Sequence, residues 1–131
     1  MAARGNLRRH GLLNRVRLAR GRWLTPLRGR VDAIIANPPY VPSAQVDRLP
    51  LDVRREPRRS LDGGPDGLRD ALEILAGAPR VLQPGGLLIM ECGEEQAHGL
   101  AQRAKASPWV STARSIMDLA GRPRGIIVSA G

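Results

Sequence analysis

Phenylalanine is absent from this chain, and cysteine, tyrosine and lysine each occur once. A core without Phe has to be filled by Leu, Ile, Val and Ala, leaving Trp23, Trp109 and Tyr40 as the only aromatic rings. The lone Cys92 excludes an intrachain disulfide and fits a reducing compartment. No apolar run approaches the length that spans a membrane. No apolar stretch follows the basic start, which argues against a secretory leader. At 131 residues the chain is expected to form one domain, 1–131, with a modest core.

Acidic residues are missing from positions 1–30, which carry nine Arg. Residues 1–60 hold 14 Arg and 4 acids; the remainder hold 7 basic and 8 acidic residues, for a net charge of +9. Three readings of the basic half stay open: a nucleic-acid patch, an organellar presequence, or an Arg-rich bias over an ordinary helix and strand. Arg outnumbers Lys 20 to 1 over the whole chain, so a general bias accounts for part of the excess. The lack of Ser and Thr in residues 1–24 counts against a presequence. The scarcity of stacking aromatics there counts against single-strand binding.

Periodicity outlines alternating helices and strands, the mark of a parallel or mixed α/β sheet. Residues 2–13 suit a short helix with Leu7, Leu12 and Leu13 inward, weakened by Gly11. The alternation Arg15-Val16-Arg17-Leu18-Ala19-Arg20 predicts a half-exposed strand. Residues 21–30 connect it to Val31–Ala36, an apolar run expected of a central parallel strand. A long irregular stretch, 41–65, contains four prolines and is expected to be a substrate-binding loop. Helical spacing runs from Asp66, a plausible N-cap, to Leu82. Pro84-Gly85-Gly86 predicts a tight turn before a buried strand Leu87–Met90. A second helix covers Glu94–Ala106 with Ala97, Leu100, Ala101 and Ala104 inward. Val110–Met117 and Gly125–Ser129 read as closing strands.

The most informative junction is Asn37-Pro38-Pro39-Tyr40, directly after the Val31–Ala36 strand. Two prolines remove two backbone donors and fix φ near −65°, so the strand must stop. Asn37, before a proline, is held extended at the strand's carboxyl end, where open α/β sheets bind ligands. A carboxamide, a stiff kink with free carbonyls and an aromatic ring suit gripping a planar amide or amine.

Further blocks follow in order: Val41-Pro42, Glu56-Pro57-Arg58, Leu61-Asp62-Gly63-Gly64 and Asp66-Gly67-Leu68. After them come Leu82-Gln83-Pro84-Gly85-Gly86, Glu91-Cys92-Gly93-Glu94-Glu95-Gln96 and Asp118-Leu119-Ala120-Gly121-Arg122-Pro123-Arg124. Over residues 2 to 130 this series resembles the HemK family of protein-(glutamine-N5) methyltransferases, which modify peptide chain release factors with S-adenosylmethionine. The tetrapeptide is shared with enzymes that methylate adenine in DNA; the Glu-Pro-Arg and Asp-Gly-Gly-x-Asp-Gly-Leu blocks narrow the likeness.

The resemblance implies a partial Rossmann-like class I methyltransferase sheet lacking its first two strands. Family members carry a glycine-rich first turn and an acid at the end of the second strand, and neither is found here. Their third strand ends in Gly-Asp-Trp where this chain reads Gly21-Arg22-Trp23. The chain is therefore expected to be the carboxyl-terminal part of a methyltransferase domain, with impaired activity. The family sheet order 3-2-1-4-5-7-6 leaves the Val31–Ala36 edge bare, to be filled by the third strand or a partner, or to weaken the fold.

By resemblance, the Asn37 oxygen and the Pro38 carbonyl accept the two N–H bonds of the substrate glutamine, and Tyr40 stacks on the flat amide. Pro39 and Glu56 complete the substrate-binding set. Arg22, Trp23 and Asn37 are the cofactor-side candidates for S-adenosylmethionine. Arg58 joins Glu56 as a loop contact or a solvated surface pair, and Glu91 is a site carboxylate or half of an ion pair. Cys92 reads as core. His10 and His98 lack ligand-spaced partners, so no metal is expected. Asp118 and Arg124 flank the last turn and suit pairing with each other. The alternatives are an adenine-N6-type nucleic-acid methyltransferase and a non-catalytic basic nucleic-acid-binding fragment. A cytoplasmic location is expected, with a mitochondrial one as the alternative.

Overall fold

The computed structural model describes residues 2–131. Helix α1 spans Ala2–Arg9 and buries no residue. It stops short of the expected Leu13 because Gly11 takes a left-handed φ of +66°, a conformation only glycine adopts freely. The expected strand over 15–20 does not form, and those residues run exposed and irregular. Alternation alone cannot make a strand; its hydrogen bonds come from a neighbour, and none lies alongside.

β1 is Val31–Ala36, as the apolar run predicted. The following stretch is more ordered than its prolines suggested. It holds a 3₁₀ segment Ser43–Arg48, a short helix α2 (Leu51–Arg54) and a 3₁₀ turn Arg58–Ser60. Each begins directly after a proline whose fixed φ suits the entry to a helical turn. Helix α3 covers Arg69–Gly77 and tightens into a 3₁₀ turn at Ala78–Arg80, where Pro79 lacks an N–H to continue the α ladder. It starts two residues later than an Asp66 N-cap implies because Gly67 sits at φ +75°, while Asp66 instead accepts the Leu68 N–H at 3.0 Å.

β2 runs from Leu82 to Glu91, so Pro84-Gly85-Gly86 lies within the strand rather than before it. Val31 pairs with Leu82 and Ala33 with Leu87, so the glycines form a bulge on β2. A 3₁₀ turn Glu94–Gln96 leads into α4 (Ala97–Lys105), and β3 (Val110–Met117) and β4 (Pro123–Ala130) close the chain.

The sheet order is β1-β2-β4-β3, with β1 parallel to β2 and β4 antiparallel to both neighbours. This is the 4-5-7-6 half of the order the resemblance implied. β1, whose apolar run suits a central strand, stands at the open edge that the family order left bare, among the described residues. Helices α3 and α4 cover one face. Ile74 and Leu75 of α3 and Leu100 and Ala104 of α4 pack with Ile34, Leu88, Met90, Ile126 and Val128. The four inward positions read for the second helix, Ala97, Leu100, Ala101 and Ala104, are all buried. The other face is left open among the described residues, and Ile35 there is 81% exposed. No helix among the described residues is long and apolar enough to cross a membrane.

Candidate active site

The Asn-Pro-Pro-Tyr kink works as an anchor with an exposed tip. Pro38 and Pro39 are buried, Asn37 is exposed and Tyr40 is half-buried. The two rings fix the backbone in the core. The carboxamide before them is therefore presented outward with little freedom left in the main chain. Among the described residues, no backbone donor reaches the Pro38 carbonyl.

Asn37 and Pro39 line a cleft of about 900 Å³ together with Gly21, Arg22, Trp23, Arg58, Arg59, Ser60, Asp62, Arg69 and Asp70. Four of the expected site residues, Arg22, Trp23, Asn37 and Pro39, thus meet across one opening. Asn37 also borders a second cavity of about 630 Å³ with Ile35, Ile89, Glu91, Asp118 and Arg124. Tyr40 lines neither. It faces a third cavity beside Pro42 and Gln96, and its hydroxyl donates to Glu91 Oε1 at 3.2 Å. Burial, then the Glu91 carboxylate, pushes the phenol pKa above its ordinary value, so the hydroxyl keeps its proton. Glu56 lies apart as well, in a smaller cavity with Val46 and Asp47, where it accepts the Ser60 hydroxyl at 3.3 Å. Arg58 lines both that cavity and the main cleft.

The wall opposite Asn37 is organised by Asp70, a buried acid that the sequence reading did not single out. It accepts Trp23 Nε1 at 2.9 Å and Arg22 at 3.1 Å through Oδ1, and Arg69 at 2.9 and 3.2 Å through Oδ2. Arg22 also pairs with Glu73 at 2.5 to 2.9 Å. These bonds hold Trp23 at φ +45°, an uncommon backbone for a bulky residue. Arg80, donating to the Leu27 and Leu24 carbonyls, ties the 21–30 connection to the end of α3.

Glycines set the floor. A Cβ on Gly63 would lie 2.6 Å from the Pro39 carbonyl oxygen. One on Gly67, at φ +75°, would fall onto the Tyr40 carbonyl oxygen and the Gln96 amide. Gln96 Nε2 donates to the Tyr40 carbonyl at 2.9 Å and to Asp66 O at 3.1 Å, while its Oε1 accepts the Gly93 N–H at 2.9 Å. Gln96 therefore clamps the kink, the glycine loop and the end of β2 together. Its only sequence signal was its place in the Glu91–Gln96 block. Asp62 is a second knot, accepting Ser43 Oγ at 2.6 Å, the Gly64 N–H at 2.9 Å and Arg58 Nε at 3.2 Å.

Cys92 is fully buried, and burial followed by the neighbouring Glu91 charge pushes its pKa up to about 11, so it is inert core. Asp118 and Arg124 do pair, at 3.4 Å, with Arg122 also on Asp118 at 3.2 Å. No cluster of His, Cys, Asp or Glu among the described residues is arranged for a metal.

No protein-family model matches the chain. A release factor glutamine methyltransferase of Moorella thermoacetica is 47% identical over 123 residues, 93% of this chain and 44% of that protein. Proteins of the same name from Gloeobacter violaceus and Bradyrhizobium diazoefficiens are 39% and 40% identical over 99% and 95% of this chain, and 46% and 42% of their own length. A crystal structure of TrmN from Thermus thermophilus superposes with a TM-score of 0.58 at 23% identity, over 98% of this chain and 32% of that one. That likeness shows the fold, a partial Rossmann-like α/β sheet of the kind the resemblance implied. The chain is a homologue of the release factor glutamine methyltransferases and spans less than half the length of the relatives it matches.

Proposed function

We propose that this chain supplies the amide-presenting half of an enzyme that methylates the side-chain nitrogen of a glutamine in peptide chain release factors. What supports the reading is one geometric feature: a carboxamide held by a buried Pro-Pro kink at the mouth of an open cleft. An amide nitrogen is a poor nucleophile because its lone pair is shared with the carbonyl. Catalysis of transfer to it is mainly orientation and electrostatics. In this reading Asn37 Oδ1 and the Pro38 carbonyl accept the two N–H bonds of the substrate glutamine. They fix the nitrogen and stabilise the positive charge that grows on it, and the proton becomes acidic only after transfer. Tyr40, pinned by Glu91, stiffens the kink from its far side. The 41–65 segment, with Arg58 on the cleft wall, is the surface for the rest of the substrate loop, and Glu56 sits at its outer end.

The implied methyl donor is S-adenosylmethionine, with Arg22, Trp23 and Asn37 on its side of the cleft. The residues described do not by themselves fit it. Asp70, the one buried acid among the described residues, already engages both oxygens with Trp23, Arg22 and Arg69. No glycine-rich turn lines the cleft to let backbone N–H groups approach a ligand. The donor's site thus calls for polypeptide beyond these walls.

The test is a chimera in which this chain replaces the matched part of the Moorella thermoacetica relative, supplied with tritiated S-adenosylmethionine. Label is expected in a release factor, and Asn37→Ala should lower kcat by about 10²-fold or more. Equal labelling of DNA would move the assignment to nucleic-acid amino groups. An unimpaired Asn37→Ala chimera would overturn the role of the kink.

A further inference from the structure

The proposed reaction makes no use of the Asp118–Arg124 block, yet the fold carries that block to the rim that bears Asn37. β1 and β2 are parallel, and β4 is antiparallel to both β2 and β3, so β3 runs in the direction of β1. The hairpin joining β3 to β4 therefore projects from the same end of the sheet as the kink. One cavity of about 630 Å³ is lined by Asn37 and Glu91 and also by Ile116, Asp118 and Arg124 at the hairpin's base. Asp118 makes the hairpin stiff. Its Oδ1 accepts the Ala120 and Arg122 N–H groups at 2.9 Å each, and its Oδ2 accepts Arg122 Nε at 3.2 Å and Arg124 Nε at 3.4 Å. The Asp118 N–H donates to the Arg122 carbonyl at 2.8 Å, and Gly121 turns the chain at φ +75°. The tip so held turns apolar side chains to water: Leu119 is fully exposed and Met117 60% exposed. Neither contributes to the chain's own core. A rigid apolar projection loses little conformational entropy when it meets another surface.

We propose that the hairpin tip is a docking contact for the substrate polypeptide, with Leu119 and Met117 gripping an apolar side chain close to the glutamine that is methylated. The inference rests on the reading of Asn37 as the group that holds the amide. Continuity commits it to that occupant: the cavity that Asn37 borders runs to the base of the hairpin. A polypeptide with its glutamine at the kink has the tip within reach on that side. In the order β1-β2-β4-β3, three strand spacings separate β1 from β3, roughly 14 Å, which an extended chain covers in about four residues. The gripped side chain is therefore placed about four residues from the glutamine.

The test is steady-state kinetics with a release factor, in the chimera described above. The double variant Met117→Ser with Leu119→Ser is expected to raise KM about tenfold or more while kcat stays within about twofold, the mark of lost binding rather than lost chemistry. Both side chains face solvent, so the thermal midpoint should not move. In the full chain, Leu119→Cys adds one accessible thiol beside the buried Cys92. A benzophenone attached to it should crosslink to a release factor within the loop that holds the glutamine. Unchanged KM beside full labelling of the release factor would overturn the hairpin contact and leave the reaction standing, as would a crosslink remote from that loop. A lowered midpoint with KM unchanged would give the tip a packing role and overturn docking. Labelling confined to DNA would remove the reaction and this contact with it.

Discussion

At the scale of single residues, polar side chains fall into those already occupied and those left open. Asp70, 2% exposed, belongs to the first group, and its bonds to Trp23, Arg22 and Arg69 make one wall of the cleft. Asp70→Ala leaves the indole N–H and two guanidinium groups without their shared acceptor. We expect a loss of about 2 kcal/mol, read as a drop of roughly 6–10 °C in the thermal midpoint. Trp23 emission should shift to the red as the indole loosens; an unchanged midpoint would contradict the wall's dependence on this acid. Gly67 is the second test. At φ +75°, where an added Cβ would fall onto the Tyr40 carbonyl oxygen, Gly67→Ala meets both backbone strain and a clash. Destabilisation by about 2 kcal/mol or more is expected from denaturant unfolding. Gly85→Ala, also left-handed but in open space, should cost less. Of the three substituted positions only the glycines were legible in the sequence, Gly67 in the Asp-Gly-Leu block and Gly85 in the Pro-Gly-Gly block. The importance of Asp70 was hidden, because its partners are contributed by a connection 47 and 48 positions away.

Among elements, the strands and helices that bury a face were the readable ones. Val31–Ala36 and Val110–Met117 form with the boundaries their patterns predicted. The α4 helix buries each of its four expected positions. Where the structure departs, a local device wins. Gly67 delays α3, Gly11 ends α1, and a bulge carries β2 through Pro84-Gly85-Gly86. The 41–65 segment is held as turns by Asp62, whose carboxylate lies below the ordinary 3.8, chiefly through the Ser43 hydroxyl, with the Gly64 N–H next. A depressed folded-state pKa means the unfolded chain takes up the proton first as pH falls. The contribution is therefore complete above about pH 4 and lost as pH falls through the lower folded value. Amide exchange in residues 41–64 should accelerate between about pH 4 and pH 2 after correction for intrinsic rates. Asp62→Asn should flatten that dependence, and a segment equally protected at both ends of the range would refute it.

For the molecule as a whole, charge and apolar surface both point outward. The arginines of residues 4–20 are all exposed, whereas Arg22, Arg30, Arg58, Arg69 and Arg80 bond to carboxylates or carbonyls of the fold. The Arg-rich composition thus has two parts, one structural and one free to meet polyanions. We propose weak nucleic-acid contact through the free part. Affinity for duplex DNA should fall steeply between about 50 and 200 mM salt. Replacing Arg15, Arg17 and Arg20 by Gln should reduce that slope by roughly 3; an unchanged slope would locate the contact elsewhere. The sequence by itself determined the α/β class, the kink after Val31–Ala36, the Leu/Ile/Val/Ala core and the kinship, because each is written in short-range spacing or in blocks of adjacent residues. Only the tertiary structure decided that residues 15–20 stay unpaired instead of filling the β1 edge, that Tyr40 turns to Glu91, and that Asp70 and Gln96 brace the site. Those outcomes depend on which segments become neighbours, and a strand or a buried carboxylate is settled by its partner rather than by its own side chains.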